Sequence, residues 1–253
     1  MGYDDDDVFD EPSAWQVDAV RRLGLDGEDL IAGASTGVGY PDALEPVLGG
    51  LGLGAGSLVL DLGAGLGGVS QWVAERTGAI VVALEPERLA AAGADRLFPG
   101  LVVVHADAVR TPFDAGSFDA VTLFGLVSLV DDLDPLLSEV IRILRPLGRI
   151  GISDLFLSSG SVAHPRHSPN TFRSMDLVID RLQLIGCDVL VRVDGETTST
   201  RWDEVGSRVD DEITRRHEGS AALDAWQEDR RRIAESIERG EVHVGSVVAV
   251  RHD

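Results

Sequence analysis

From residue 57 onward, short apolar runs alternate with stretches of helical period. "SLVLDL", "AIVVAL", "LVVVHA", "FDAVTLF" and "RIGISDLF" are continuously apolar rather than alternating, as expected of strands covered on both faces. Between the last two, Leu133, Leu136, Leu137, Val140, Ile141 and Leu144 recur at helical spacing, and Pro146 with Gly148 ends a helix predicted over 132–144. A βαβ series of this kind predicts an α/β fold with a doubly wound parallel sheet. Two further strands, "CDVLVRV" at 187–193 and "HVGSVVAV" at 243–250, are separated by an amphipathic helical stretch. There Val205, Val209 and Ile213 fall four apart, and Leu223, Trp226, Ile233 and Ile237 form a second stripe. Residues 11–50 are also helical in pattern, interrupted by "GASTGVGYP".

The 253 residues suffice for one substantial core with an appended cap, and 44% hydrophobic with 26% charged residues describes a globular chain. The net charge of −21 changes the picture of partners: such a surface repels phosphate backbones and anionic lipid, so no nucleic acid and no membrane surface is expected, and a small molecule is. All the basic residues are Arg, which excludes a lysine Schiff base or lysine general base. Cys187 is the single cysteine, so neither an intrachain disulfide nor a Cys-based metal site is expected, and a cytoplasmic setting is. No apolar run is long enough to span a bilayer, and "MGYDDDDVFDEP" lacks the features of a leader.

The candidate chemistry begins in "LVLDLGAGLGG", residues 58–68. Gly63, Gly65 and Gly68 satisfy the dinucleotide pattern G-x-G-x-x-G, while Gly63, Gly65 and Gly67 satisfy D-x-G-x-G-x-G, and either places backbone N–H groups and a helix dipole at the turn. Asp61 discriminates. A carboxylate near a pyrophosphate adds repulsion, whereas S-adenosylmethionine (SAM) presents an ammonium and a sulfonium that favour it. The next strand ends at Glu85, placed to accept from both ribose hydroxyls, and Asp107 follows the third strand, where it could accept from an adenine amino group while the Ala108 N–H meets a ring nitrogen.

With "SFDAVTLFGLV", a helix and "LRPLGRIGISD" in the same order, residues 58 to about 157 resemble the class I SAM-dependent methyltransferases, particularly their small-molecule branch of natural-product and sterol type. The resemblance implies a Rossmann-like seven-stranded sheet with an antiparallel last strand, SAM as cofactor and S-adenosylhomocysteine as its product. It assigns Asp61, Gly63, Gly65 and Gly67 to the methionine end, Glu85 to the ribose, Pro86 to the adenine face, Asp107 and Ala108 to the adenine edge, and Phe124 with Gly125 beneath the methionine moiety. The corresponding partition is an N-terminal helical lid at 1–50, a SAM-binding core at 51–194, a helical cap at 195–241 and a final core strand at 242–253. Tyr40 would close over the cofactor, and dimerisation through the N-terminal or cap helices is compatible with the pattern.

Methyl transfer is an in-line displacement, so alignment and exclusion of water dominate, and a base matters only where the acceptor must lose a proton. Many relatives carry His after the fourth strand, where this chain has Leu129. His164 and His167, after the fifth strand, are the catalytic candidates, against the alternative of two solvated residues in a Pro-containing loop. Phe172, Trp202 and Trp226 are candidates to line an acceptor pocket, against the alternative of helix packing. The acceptor atom stays open among oxygen, nitrogen and carbon. A SAM-binding protein that catalyses cyclisation or rearrangement, or a non-methylating partner subunit, would share these residues.

Overall fold

The computed structural model describes residues 10–35, 37, 40–164, 168–195 and 200–252. Three helices, α1 (Asp10–Arg22), α2 (Gly27–Gly33) and α3 (Pro41–Leu51), precede the sheet. Then come β1 (Leu58–Leu62), α4 (Gly68–Thr77), β2 (Ile80–Glu85), α5 (Arg88–Leu97), β3 (Val102–His105), β4 (Phe118–Phe124), a short 3-10 turn at Val127–Leu129, α6 (Leu133–Ile143) and β5 (Leu144–Leu157). The chain continues through β6 (Val162–Ala163), β7 (Phe172–Ser174), α7 (Met175–Leu184), β8 (Cys187–Asp194), α8 (Thr200–His217), α9 (Ala221–Glu238) and β9 (Val242–Arg251).

Strands β3-β2-β1-β4-β5 run parallel, and β9 continues the sheet antiparallel to both β5 and β8. The order reverses between β1 and β4, so a crevice opens outside their carboxyl ends. Burial on both faces explains the unbroken apolar runs. Because side chains alternate along a strand, Leu60, Leu62, Val121, Leu123, Ile150 and Ile152 join Leu136, Leu137 and Val140 of α6 on one face. Val59, Val81, Ala83 and Ala120 meet α3 and α4 on the other.

Among the described residues nine strands pair where seven were expected, because the short β6 and β7 add beside the end of β5. Two further expectations shift. Pro146 and Gly148 end the helix, as predicted, but they lie inside β5 rather than before it: Leu144 already pairs with Phe118, and the register slips before Ala120 pairs with Arg149. Leu147 takes φ 62° at this irregularity. The second concerns the N-terminal lid over 1–50, because α3 is a layer of the core. Its Ala43 carbonyl accepts from Ser246 Oγ of β9 at 3.1 Å, and a Cβ on Gly50 would lie 2.8 Å from Val191 and 2.9 Å from Val248, so glycine is what lets the helix reach the sheet. Helices α1 and α2 instead pack with the inserted helices into a separate helical layer, the roof. Trp15, Ala19 and Val20 interdigitate with Val209, Ile213 and Leu223, and Arg201 of α8 pairs with Glu28 and Asp29 of α2 at 3.3 and 2.9 Å.

Candidate functional site

The glycine turn leaves β1 at the crevice. Gly63, Gly65 and Gly67 have φ of 73°, 55° and 79°, left-handed values that a side chain would strain, and the N–H groups of Gly63 and Ala64 both donate to the Leu84 carbonyl. A Cβ on Gly68 would lie 2.5 Å from the Ile31 carbonyl oxygen, so the first residue of α4 is pressed against the end of α2. At its glycine positions the turn therefore leaves little room for a side chain, and its backbone forms a cradle.

Asp61 does not open onto this cradle. It is 3% exposed, and its two oxygens accept from Ser70 Oγ at 2.5 Å and Thr122 Oγ1 at 2.7 Å; burial pushes its carboxyl up to about 6, against the lowering effect of these hydroxyls. Its two oxygens thus join β1, β4 and α4 beneath the turn. Ser70 and Thr122 escaped the sequence reading; a lone hydroxyl inside the apolar run "FDAVTLF" was the available signal, since a buried polar group needs a partner.

Glu85, at the end of β2, lies beside the same turn. Oε2 accepts from the Gly65 N–H at 2.7 Å and Oε1 from the Glu87 N–H at 2.9 Å, so one buried carboxylate ties the glycine turn to the residues after β2. Pro86 is exposed, and its carbonyl lies 2.8 Å from His105 Nε2, which couples the end of β3 to the residues after β2. Asp107 is exposed and its Oδ1 accepts from the Val109 N–H at 2.9 Å, while Ala108 is buried beside it. The sequence reading missed the anchor of this loop. Glu139 of α6 accepts from the Thr111 N–H and Oγ1 at 2.8 and 2.6 Å and from Arg142, whose guanidinium is the largest cause holding its carboxyl down at about 2.

At the far side of the crevice, β4 ends in the half-buried Phe124 and in Gly125, whose φ of 72° turns the chain while its N–H donates to the Ser153 carbonyl. The following segment is held from below. Asp154 of β5, 1% exposed and pushed up to about 6 by burial, accepts from the Ser128 and Leu155 N–H groups. Arg173 of β7, 5% exposed, donates to the carbonyls of Val127, Val130, Asp131 and Thr171. Leu129 is partly exposed here. His164 is exposed after β6 and bonded to Thr171, whereas His167 lies outside the described residues.

The four pocket candidates separate. Tyr40 is at the joint of roof and core, where its hydroxyl bonds to Asp203 of α8; burial pushes it upward, with the Asp203 charge adding to the effect. Trp202 is 4% exposed, edge-on to Trp72 of α4 and buried in the cluster that covers the sheet. Trp226 lies among the roof helices with the Arg230 guanidinium 4.6 Å from its ring centre. Both pack against neighbouring helices, as the apolar stripe of an inserted helix does against the element it covers. Phe172 belongs to the β6–β7 hairpin, not to the helical insertion, and is 4% exposed.

Comparison with known proteins places this geometry. Residues 60–152 match the family described as Methyltransferase domain. The demethylmenaquinone methyltransferase of Clavibacter sepedonicus is 45% identical over 155 residues, covering 58% of this chain and 56% of that protein. The chain thus spans about half the length of the curated relatives it matches. Among solved structures, the (4+2)-cyclase SpnF superposes with a TM-score of 0.67 at 18% identity, covering 82% of this chain and 80% of that one. The geranyl diphosphate C-methyltransferase of Streptomyces coelicolor A3(2), solved with S-adenosyl-L-homocysteine, superposes with a TM-score of 0.62 at 16% identity, covering 94% and 98%. At these identities the likeness is one of fold, and the fold is the Rossmann-like one of the methyltransferases.

Proposed function

We propose, for a chain whose residues 60–152 match the Methyltransferase domain family, that the protein binds SAM in the glycine cradle and transfers its methyl group to a small-molecule acceptor. The observation that carries this reading is the clamp of Glu85 on Gly65: a buried carboxylate at the end of β2 stands beside the glycine turn, at the position from which a ribose would be held. Asp107 with Ala108 would meet the adenine edge, Pro86 its face, and Gly63, Gly65 and Gly67 the amino-acid end, with Phe124 and Gly125 opposite and Tyr40 above. When bound, SAM supplies an electrophilic methyl carbon. The chain's own contribution is to hold the acceptor in line and keep water out beneath the roof, for which effective-molarity arguments allow up to about 7–11 kcal/mol.

The likeness to a demethylmenaquinone methyltransferase supports a quinol as the acceptor in this reading, a class whose hydroxyl would activate the neighbouring ring carbon. Cytoplasmic location belongs to the same reading, as does a homodimer, although the apolar stripes of the roof helices are already turned onto each other. Among the described residues no helix is long and apolar enough to cross a membrane. Incubation with methyl-labelled SAM and a panel of quinols, phenols and amines, following label into product, tests the reading. SAM and S-adenosylhomocysteine should each raise the melting temperature and NAD should not; equal stabilisation by NAD would reject it. The fold shared with a cyclase favours one other reading, ring closure in a SAM-binding pocket, which would give a product of unchanged mass.

A further inference from the structure

The return from β5 carries two polar side chains to the segment that follows β4. The β6–β7 hairpin pairs Arg173 and Ser174 with Phe156 and Leu157 at the end of β5, and the Thr171 N–H donates to the Ser128 carbonyl at 2.6 Å. Thr171 is 2% exposed, and its hydroxyl contacts two groups: Asp131 Oδ1 at 2.6 Å and His164 Nδ1 at 3.1 Å. The directions of these bonds follow from what each group can give. A hydroxyl has one proton and a carboxylate only accepts, so the Thr171 proton points at Asp131 and a Thr171 lone pair faces the imidazole. Nδ1 must then carry the ring proton, and in a neutral imidazole the other nitrogen, Nε2, is left with its lone pair.

We propose that Asp131 and Thr171 form a relay that holds His164 as the Nδ1–H tautomer, so that Nε2 is the proton-accepting nitrogen on the acceptor side of the crevice, outside the carboxyl ends of β4 and β5. The inference rests on the methyl-transfer reading and deepens it by assigning the base and its positioning residues. The hydroxyl proton of a quinol passes to Nε2 as the adjacent ring carbon forms its bond to the methyl carbon, and the electron pair of the broken C–S bond stays on sulfur. The ring carbon then loses its own hydrogen as a proton while the oxygen takes one back, so one proton is released to water per turnover. Arg173 keeps the relay in place by gathering the carbonyls of Val127, Val130 and Asp131 around one guanidinium.

Long-range proton–nitrogen correlation spectra of the full chain, with isotope-labelled imidazoles at mildly alkaline pH, read the tautomer directly. His164, assigned by the signals lost in His164→Gln, should appear as Nδ1–H. Thr171→Val should shift it toward Nε2–H, and Asp131→Asn, which keeps an accepting oxygen, should preserve it. An Nε2–H imidazole in the unaltered protein, or a Thr171→Val spectrum unchanged from it, overturns the relay. In methyl transfer to menadiol, His164→Gln should lower kcat by about a hundredfold and Thr171→Val by about tenfold, with the SAM dissociation constant unchanged. Equal kcat in His164→Gln rejects the base. A chain that fails to bind SAM would reject the methyltransferase reading, whereas the tautomer spectra report on the relay regardless.

Discussion

Glu139→Gln tests how the loop after β3 is held. The Glu139 side chain is 10% exposed and accepts four bonds: from the Thr111 N–H and Oγ1 at 2.8 and 2.6 Å, and from Arg142 Nε and Nη2 at 2.7 and 2.6 Å. Arg142 first, then the Thr111 groups, hold its carboxyl at about 2 against an ordinary 4.5, and burial opposes them. The folded-state value lies below the unfolded one, so the stabilisation is complete above about pH 4.5 and is lost as the pH falls toward about 2. About 2.5 units at about 1.4 kcal/mol each gives roughly 3 kcal/mol, which solvent screening of the 40% exposed Arg142 reduces to about 2 kcal/mol. Glutamine keeps one accepting oxygen and no charge. It should therefore lose about 2 kcal/mol at neutral pH, a fall in Tm of about 4–8 °C for a chain of this size. Paired thermal melts of the unaltered and variant proteins from neutral pH down to about pH 3 should show the gap closing with acid. A gap that stays constant across that range, or none at neutral pH, would refute the electrostatic account.

Three further outcomes follow from the crevice. Glu85→Ala frees the glycine turn and removes the acceptor expected for the ribose, so titration calorimetry should show SAM affinity down by about tenfold to a hundredfold, and an unaltered affinity would remove that role. Gly63→Ala forces a side chain to φ 73° with its Cβ 3.1 Å from Leu126, which should cost about 1–2 kcal/mol in urea unfolding; a variant as stable as its parent would mean the turn relaxes freely. Asp61→Asn removes a buried carboxyl raised to about 6: the folded value exceeds the unfolded 3.8, so ionisation costs stability that is absent below about pH 4 and fully felt above about pH 6. The stability of the unaltered protein relative to this variant should fall as pH rises through that window, and a flat difference would contradict the burial argument.

The sheet, the glycine turn and the inserted helix pair were legible in the chain because each depends on neighbours a few residues apart. Continuous apolar runs mark strands buried twice over, a 3.6-residue period marks α6, and three glycines after a strand mark a turn with left-handed backbone. The late pair of strands could be recognised, and its antiparallel return expected, from the same local pattern together with the family resemblance. Other features have no local signature. That α3 lies on the sheet depends on Gly50 meeting Val191 and Val248, far along the chain. Trp202 and Trp226 have the same spacing whatever they face, and only the fold shows that they pack against α4 and the neighbouring helices. The spacing that singles out Asp61 says nothing of Ser70 and Thr122, which the fold brings onto its two oxygens. Thr111 with Glu139, and Asp131 with Thr171 and His164, are joined by side-chain bonds across different loops and helices. A hydrogen bond has direction and a reach of about 3 Å, and the pairs it selects are chosen by how the backbone closes rather than by periodicity, so their roles exist only once the tertiary structure has formed.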